Sequence, residues 1–132
     1  MRIESLDHIV LTVRDIPTTL EFYQQVLGMT PTCFAPVGEA SRHALAFGSQ
    51  KINLHQAGRE FEPKAGFPTP GSADLCLLVS GRLEDWGARI EAAGHRVETG
   101  PVARTGAVGP LLSIYLRDPD RNLIELSVPD SP

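Results

Sequence analysis

The chain has 132 residues, of which 42% are hydrophobic and 21% charged, and its formal net charge at pH 7 is −4. This length fits one domain or two small, closely packed halves, and the composition is ordinary for a globular protein. The negative charge argues against a nucleic-acid partner, and no apolar run reaches the roughly 20 residues of a membrane-spanning helix. The N-terminus lacks the charged-then-apolar form of a signal peptide, so we expect a cytoplasmic protein.

The first half predicts a strand, a helix and three more strands. Asp15 is a typical helix N-cap, Pro17 fits the first helical turn, and Gly28 is a natural stop. The predicted elements are a strand at 6–13, a helix at 16–27, and strands at 29–35, 43–47 and 51–56.

The second half repeats this order after a segment rich in glycine and proline. We interpret that segment as a linker at about 58–72, between one module at about 4–57 and another at about 73–128 of a single domain. The second module is predicted to contain a strand at 73–79, a helix at 82–93, and strands at 97–102, 111–117 and 122–128. Cys33 and Cys76 lack metal-type spacing, and we expect both to be buried as small hydrophobic residues.

Polar residues recur at corresponding places in the two modules. Aligning the first strands pairs His8 with Asp74, and aligning the centres of the last strands pairs His55 with Glu125. Glu125 interrupts an apolar strand, and a buried carboxylate is costly without a partner or a metal ion. If the modules pack about a pseudo-twofold axis, we expect these four side chains to converge.

Several motifs carry a family resemblance. They are L-D-H-I-V-L-T-V, F-Y-Q-Q-V-L-G-M and Y-L-R-D-P-D-R-N-L-I-E-L. Over residues 4–128 the chain resembles the vicinal oxygen chelate superfamily, which includes glyoxalase I, extradiol dioxygenases, and fosfomycin and bleomycin resistance proteins. The stretch K-I-N-L-H-Q-A-G-R-E-F-E-P-K looks most like a glyoxalase-domain protein. The resemblance implies an α+β fold, with two tandem βαβββ modules forming an open, barrel-like mixed sheet with the helices outside.

The resemblance also implies a metal site. The family's ligand positions match His8, His55 and Glu125, and a fourth falls on Asp74, where glyoxalase I usually has a stronger ligand such as histidine. Two imidazoles and a carboxylate suit one divalent ion of Ni, Zn, Fe, Co or Mn, with open positions for substrate.

Three further residues are candidates for substrate binding. Tyr115 is expected to pair with Glu125 across a tight hairpin, and Ser113 to share the same face. Arg104, which we place in a loop at the mouth of the site, could hold an anionic group. The segment after His55, with Phe61, could cover the site.

We expect a metal-dependent lyase or isomerase of the glyoxalase type, acting on a small substrate with adjacent oxygens. In such a reaction Glu125 would transfer the proton, with Tyr115 assisting. The first alternative is an Fe(II) extradiol-type dioxygenase, in which Glu125 is only a ligand. The second is a non-catalytic drug-binding resistance protein, although such relatives typically lack the ligand set. Family members commonly form dimers, and we expect a homodimer.

Overall fold

The computed structural model of the protein describes residues 1–131, which divide into two compact units, Met1–Gly71 (unit 1) and residues 72 onward (unit 2). The elements of unit 1 are β1 (His8–Val13), α1 (Ile16–Gln25), β2 (Thr30–Phe34), β3 (Arg42–Phe47) and β4 (Gln50–Gln56). Those of unit 2 are β5 (Asp74–Leu78), α2 (Leu83–Ala92), β6 (Thr99–Thr105), β7 (Pro110–Arg117) and β8 (Leu123–Pro129).

Each unit forms one four-stranded mixed sheet with the same topology. The strand orders are β1-β4-β3-β2 and β5-β8-β7-β6, and in both sheets the first and last strands pair in parallel. The other pairs are antiparallel. The predicted α+β class and two tandem βαβββ modules are confirmed, with the eight strands divided between two sheets.

Local sequence signals explain where α1 begins and where the polypeptide turns after it. The Asp15 side chain accepts a hydrogen bond from the Thr18 backbone N–H at 3.0 Å, and Pro17 lies in the first turn. After the helix, Gly28 adopts φ 73°, which favours glycine. The buried side chains of Phe22 and Tyr23 face the core of unit 1.

One face of each sheet belongs to the hydrophobic core, because side chains alternate along a strand. The core positions in the two central strands of each sheet are almost completely buried: Leu45, Ile52 and Leu54 in unit 1, and Leu116, Ile124 and Leu126 in unit 2. The polar candidates of the sequence lie on the opposite face, which we call the open face of each sheet.

Two sequence-based expectations were wrong. β6 spans Thr99–Thr105, so Arg104 lies in a strand and not in a loop. β6 extends further toward the C-terminus than predicted because its pairing with β7 is interrupted by a bulge between Thr99 and Val102. Gly100 lies in this bulge, so close to β7 that a Cβ atom there would be 2.4 Å from the Ser113 carbonyl oxygen.

Both cysteines are exposed, not buried as expected. Cys76 pairs with Glu125 and therefore lies on the open face, whereas its neighbours on β5 alternate toward the core. Within residues 1–131, no helix is long and apolar enough to cross a membrane.

Candidate metal and substrate site

In unit 1, His8 and His55 lie on the same open face but far apart. β1 and β4 pair with His8 beside Lys51 and His55 beside Thr12. The two histidines are therefore four residues apart along the strands, or about 13 Å at a rise of about 3.3 Å per residue. Side chains stand roughly perpendicular to a sheet, and a metal–imidazole bond is only about 2.0–2.1 Å long. The register therefore argues against the two histidines sharing one ion.

His8 is oriented as a metal-binding histidine would be. Its Nδ1 lies 2.7 Å from Asp7 Oδ2, and its side chain is 43% exposed. When Nδ1–H is donated to the carboxylate, the neutral ring presents its lone pair at Nε2. A carboxylate behind a ligating imidazole is the usual arrangement around protein-bound metals.

His55 has a different environment, because the segment after β4 covers it. The ring of Phe61 packs edge-on against His55 with 5.7 Å between centroids, and the Arg42 guanidinium lies 4.2 Å from the centre of the Phe61 ring. Burial, followed by the charge of Arg42, lowers the pKa of His55. The segment with Phe61 was expected to cover the site, and in the structure Phe61 packs against His55, a buried histidine near the end of β4.

The strand registers also correct the alignment of the two modules. Two residues after His8, β1 faces Asn53, and two residues after Asp74, β5 faces Glu125. Asn53 therefore corresponds to Glu125, and His55 corresponds to Ser127. Aligning the strand centres was wrong by two positions, an error that preserves the alternation of faces and is therefore invisible in the hydrophobic pattern.

Asn53, at the position that corresponds to Glu125, has a buried polar atom without a hydrogen-bond partner in the described part of the chain. Its Oδ1 atom is buried and has no hydrogen-bond partner among residues 1–131. Buried polar atoms are nearly always satisfied, so an orphaned acceptor indicates a missing partner. An amide oxygen is an acceptable ligand for a hard cation.

In unit 2, Asp74 and Glu125 lie close together on the open face. They are two positions apart on neighbouring parallel strands, about 7 Å along the strand direction. Both line a pocket of about 330 Å³, together with Tyr115 and Arg104. Unit 2 therefore brings together two of the predicted metal ligands and two of the predicted substrate-binding residues.

A buried hydroxyl network supports Glu125 from behind. The Ser127 hydroxyl donates to Glu125 Oε2 at 3.2 Å and lies 2.7 Å from Ser113 Oγ and 3.3 Å from Cys76 Sγ. Ser127 has a single proton, so when it donates to the carboxylate its two other neighbours must donate to it. Although Cys76 is exposed as a residue, partial desolvation of its sulfur raises the pKa of the thiol, which favours the protonated form that can donate.

Tyr115 pairs directly with Glu125, and Ser113 with Ser127, as the hairpin predicted. The Arg104 Nε–H donates to the Tyr115 hydroxyl at 2.8 Å. The hydroxyl oxygen is thus an acceptor for the guanidinium, which leaves its own proton free to be donated to a ligand.

The turn before β8 fixes the position of the site, which sequence reasoning missed. Asp118 accepts hydrogen bonds from the backbone N–H groups of Asp120 and Asn122 and from the Asn122 side chain, at 2.8–2.9 Å. Asn122 Oδ1 accepts in turn from the Ala73 N–H at 2.9 Å. This connection locks the start of β5 to the start of β8. The D-P-D-R-N sequence was the available signal, because aspartate and asparagine commonly bond to nearby backbone groups.

A larger pocket of about 720 Å³ adjoins the first. Cys76, Glu125 and Arg104 line it with the hairpin between β6 and β7, so Glu125 and Arg104 belong to both pockets. Within residues 1–131, no three His, Cys, Asp or Glu side chains are grouped closely enough to hold a metal ion.

Comparison with known proteins identifies the family to which the chain belongs. The Glyoxalase/Bleomycin resistance protein/Dioxygenase superfamily model matches residues 5–126. The chain is 55% identical over 127 residues to "Virulence protein STM3117" of Salmonella typhimurium, covering 96% of this chain and 85% of that protein.

Solved structures show the same fold. An integron cassette protein from the mobile metagenome of V. cholerae is 55% identical, with a TM-score of 0.92 and 97% of both chains covered. The fosfomycin resistance protein FosX of Listeria monocytogenes, complexed with Mn(II) and sulfate, is 21% identical with a TM-score of 0.63. The match covers 96% of this chain and 93% of the FosX chain. At this level of identity, the likeness shows only that the two proteins have a common fold.

Proposed function

Because the chain belongs to the Glyoxalase/Bleomycin resistance protein/Dioxygenase superfamily, we propose that it is a divalent-metal-dependent enzyme acting on a small substrate with adjacent oxygens. The reaction we propose is a glyoxalase-like isomerisation or lyase reaction. The observation that carries the proposal is the repeated placement of polar residues on the open faces, with His8 held by Asp7 and Glu125 held by Ser127.

The proposed ligands are His8, Asp74 and Glu125, with the Asn53 amide oxygen as a fourth donor. Each unit supplies two of these residues, at corresponding register positions. The orphaned Oδ1 of Asn53 and the carboxylate behind His8 are the observations that fit a metal ion. His55 leaves the ligand set because its register separates it from His8.

The proposed ligand set favours one of the two enzymatic alternatives, the isomerase or lyase, over the Fe(II) dioxygenase. A non-haem Fe(II) dioxygenase of this type needs two imidazoles and one carboxylate around its metal. Without His55 the set contains one imidazole and several oxygen donors, which suit harder ions such as Mn(II). We therefore favour the isomerase or lyase over the dioxygenase, and Mn over Fe among Ni, Zn, Fe, Co and Mn.

When bound, the ion would polarise the substrate's oxygens and make a neighbouring C–H more acidic. The chain's own residues supply the remaining steps. Glu125 accepts and returns the proton as general base, with its orientation fixed by the Ser127 hydroxyl. Tyr115 donates its free hydroxyl proton to a substrate oxygen, and Arg104 fixes the phenol. Ser113 acts through Ser127, and we do not expect it to touch the substrate.

The test is the metal content of the purified protein beside three variants. We expect near-stoichiometric metal in the wild type, and its loss in His8→Ala and Glu125→Gln. His55→Ala serves as the matched control and should retain the metal. Loss of metal in His55→Ala with retention in His8→Ala would overturn the ligand set.

One observation favours a second function, that of a small-molecule-binding protein without catalysis. The larger pocket is mostly apolar and could hold a ligand with no metal at all. A wild type that stays metal-free after reloading, yet binds ligands at this pocket, would establish this function instead.

We also propose that the protein is a homodimer. The apolar side chain of Val10, on the open face of unit 1, is 46% exposed, and a second chain could cover it. Light scattering tests this, and a monomeric mass would contradict it. Mixing His8→Ala with Glu125→Gln protein then asks whether the ligands come from different chains, because only an exchange between chains would restore complete sites.

A further inference from the structure

We propose that the substrate has an apolar, hydrocarbon or aromatic body and is not a glutathione conjugate. The inference deepens the proposed function and rests on it for the adjacent oxygens that would lie near Glu125. It comes from the two neighbouring pockets of unit 2, which differ in chemistry and meet at Glu125 and Arg104.

The smaller pocket is suited to the oxygens of a ligand. Its lining is mostly polar, with the Tyr115 hydroxyl, the Thr99 side chain and the carboxylates of Asp74 and Glu125. At about 330 Å³ it lies at the lower end of the range of small-molecule sites and has less than half the volume of the larger pocket.

The larger pocket is suited to a hydrocarbon. Its walls are Leu78 at the end of β5, Pro129 at the end of β8, and Ala107, Val108 and Leu111 from the β6–β7 hairpin. Leu78 is 68% exposed and Val108 is 99% exposed, so a ligand covering them would remove apolar surface from water. At about 720 Å³ the pocket lies within the range of small-molecule sites.

The hairpin that forms one wall is tightly closed. The Gly106 N–H donates to the Gly109 carbonyl at 2.8 Å. A Cβ on Gly106 would lie 2.7 Å from that carbonyl oxygen and 2.8 Å from Leu111. The wall is therefore a defined surface and requires glycine at this position.

The charges around both pockets disfavour a glutathione moiety. Glutathione carries two carboxylates, and recognition of a carboxylate normally requires a cationic side chain or a cluster of N–H donors. Arg104 is the one cationic residue that lines either pocket in the described part of the chain, and its Nε already bonds to Tyr115. The larger pocket adds the acidic side chain of Asp130. The tripeptide's carboxylates would therefore be poorly matched there.

Three probes that share a 2-hydroxyacyl group test the inference by calorimetric titration: lactate, 3-phenyllactate and S-lactoylglutathione. We expect 3-phenyllactate to bind at least ten times more tightly than lactate, because its ring would bury apolar surface in the larger pocket. S-lactoylglutathione should bind no more tightly than lactate. Tightest binding of S-lactoylglutathione, or equal binding of the two acids, would overturn the inference.

A pair of variants locates the effect. Leu78→Glu places a charge in the larger pocket at an exposed position, and Val37→Glu places the same charge at an exposed position of unit 1. We expect Leu78→Glu to remove the preference for 3-phenyllactate and Val37→Glu to retain it. If Leu78→Glu instead changes only the oligomeric state, its exposed surface is an interface and the inference fails.

The titrations are run on both metal-loaded and metal-free protein, which separates this inference from the proposed function. If no metal binds but Leu78→Glu still removes the phenyl preference, the proposed function fails while the apolar pocket is established. If metal binds at His8 and Glu125 but no phenyl preference is found, the proposed function stands and this inference is wrong.

Discussion

The two units have the same strand order but different chemistry on their open faces. In unit 1, the central strand β4 carries His55, which Phe61 covers, with the Arg42 guanidinium stacked on the Phe61 ring. In unit 2, the corresponding position is Ser127, a buried hydroxyl that supports Glu125 beside two pockets. One scaffold thus carries a covered histidine in one unit and an accessible carboxylate in the other.

This difference shows how a repeated fold divides its work. The core positions of the two sheets are equally buried and equally apolar, since both units must pack a helix against one face. The open faces are free of that constraint, so their residues can serve a site. Under the proposed function, the ligands from unit 1 are His8 and Asn53, whereas unit 2 carries the carboxylates and the substrate contacts.

The largest expected effect comes from removing the carboxylate that distinguishes unit 2. Glu125→Gln keeps the size of the side chain but removes its charge, and we expect metal affinity to fall more than about 100-fold, because loss of a direct ligand exceeds the effect of an outer-shell partner. A chelator competition assay measures this. Affinity within a factor of a few of the wild type would show that Glu125 is not a ligand.

The reverse change in unit 1 sharpens the same comparison. Asn53→Asp gives unit 1 a carboxylate at the position that corresponds to Glu125. We expect metal affinity to rise about tenfold, since a charged oxygen binds a hard cation more strongly than an amide. His55→Asp, two positions away, is the matched control and should give no increase.

Another prediction concerns the cores, where the two units should behave alike. Leu45 and Leu116 face Ile52 and Ile124 in their sheets, and all four are almost fully buried. We expect Leu45→Ala and Leu116→Ala each to lower the free energy of unfolding by about 2–5 kcal/mol. Chemical denaturation measures the loss, and hydrogen exchange shows which unit opens first. A large effect in one unit alone would contradict equivalent cores.

Much of the fold could be predicted from the sequence, because the alternation of apolar residues is strong. Both helices and all strands but one were placed to within two residues at each end, and the repeat of βαβββ modules followed from their order. The exception was β6, where Gly100 and a bulge interrupt the pattern. A bulge inserts an extra residue, so the alternation of apolar residues before it does not predict where the strand continues and ends.

The site was harder to predict, because the alternation of apolar residues fixes the face of a side chain but not its position along the strand. A two-residue shift in the last strand of unit 1 leaves every side chain on its expected face, so His55 could be aligned with Glu125. Local pairings were more predictable: Tyr115 lies opposite Glu125 because a tight turn fixes the hairpin register. Ser127 could not be recognised as the support of Glu125, since only the structure brings Ser113 and Cys76 to it.

A further prediction tests whether the Ser127 hydroxyl supports Glu125. Ser127→Ala removes the donor to Glu125 Oε2 without adding volume, and we expect metal affinity to fall about 10- to 100-fold, as for other outer-shell partners. The absorption spectrum of the Co(II)-loaded protein should change with it, because the carboxylate is released. Ser113→Ala should have a smaller effect in the same direction. An unchanged Co(II) spectrum in Ser127→Ala would show that the hydroxyl only packs.

The smallest effect is expected at the covered histidine of unit 1. Burial and the charge of Arg42 lower the folded-state pKa of His55, so the unfolded chain takes up a proton near pH 6.5 while the folded chain does not. This contribution to stability is complete above about pH 6.5 and is lost as the pH falls through the folded-state pKa, with a slope of at most about 1.4 kcal/mol per pH unit. Denaturation at pH 7.5 and pH 5.5 measures it. His55→Gln should reduce the difference between the two pH values and His95→Gln should not, whereas equal pH dependence in wild type and His55→Gln would show that the imidazole is not desolvated.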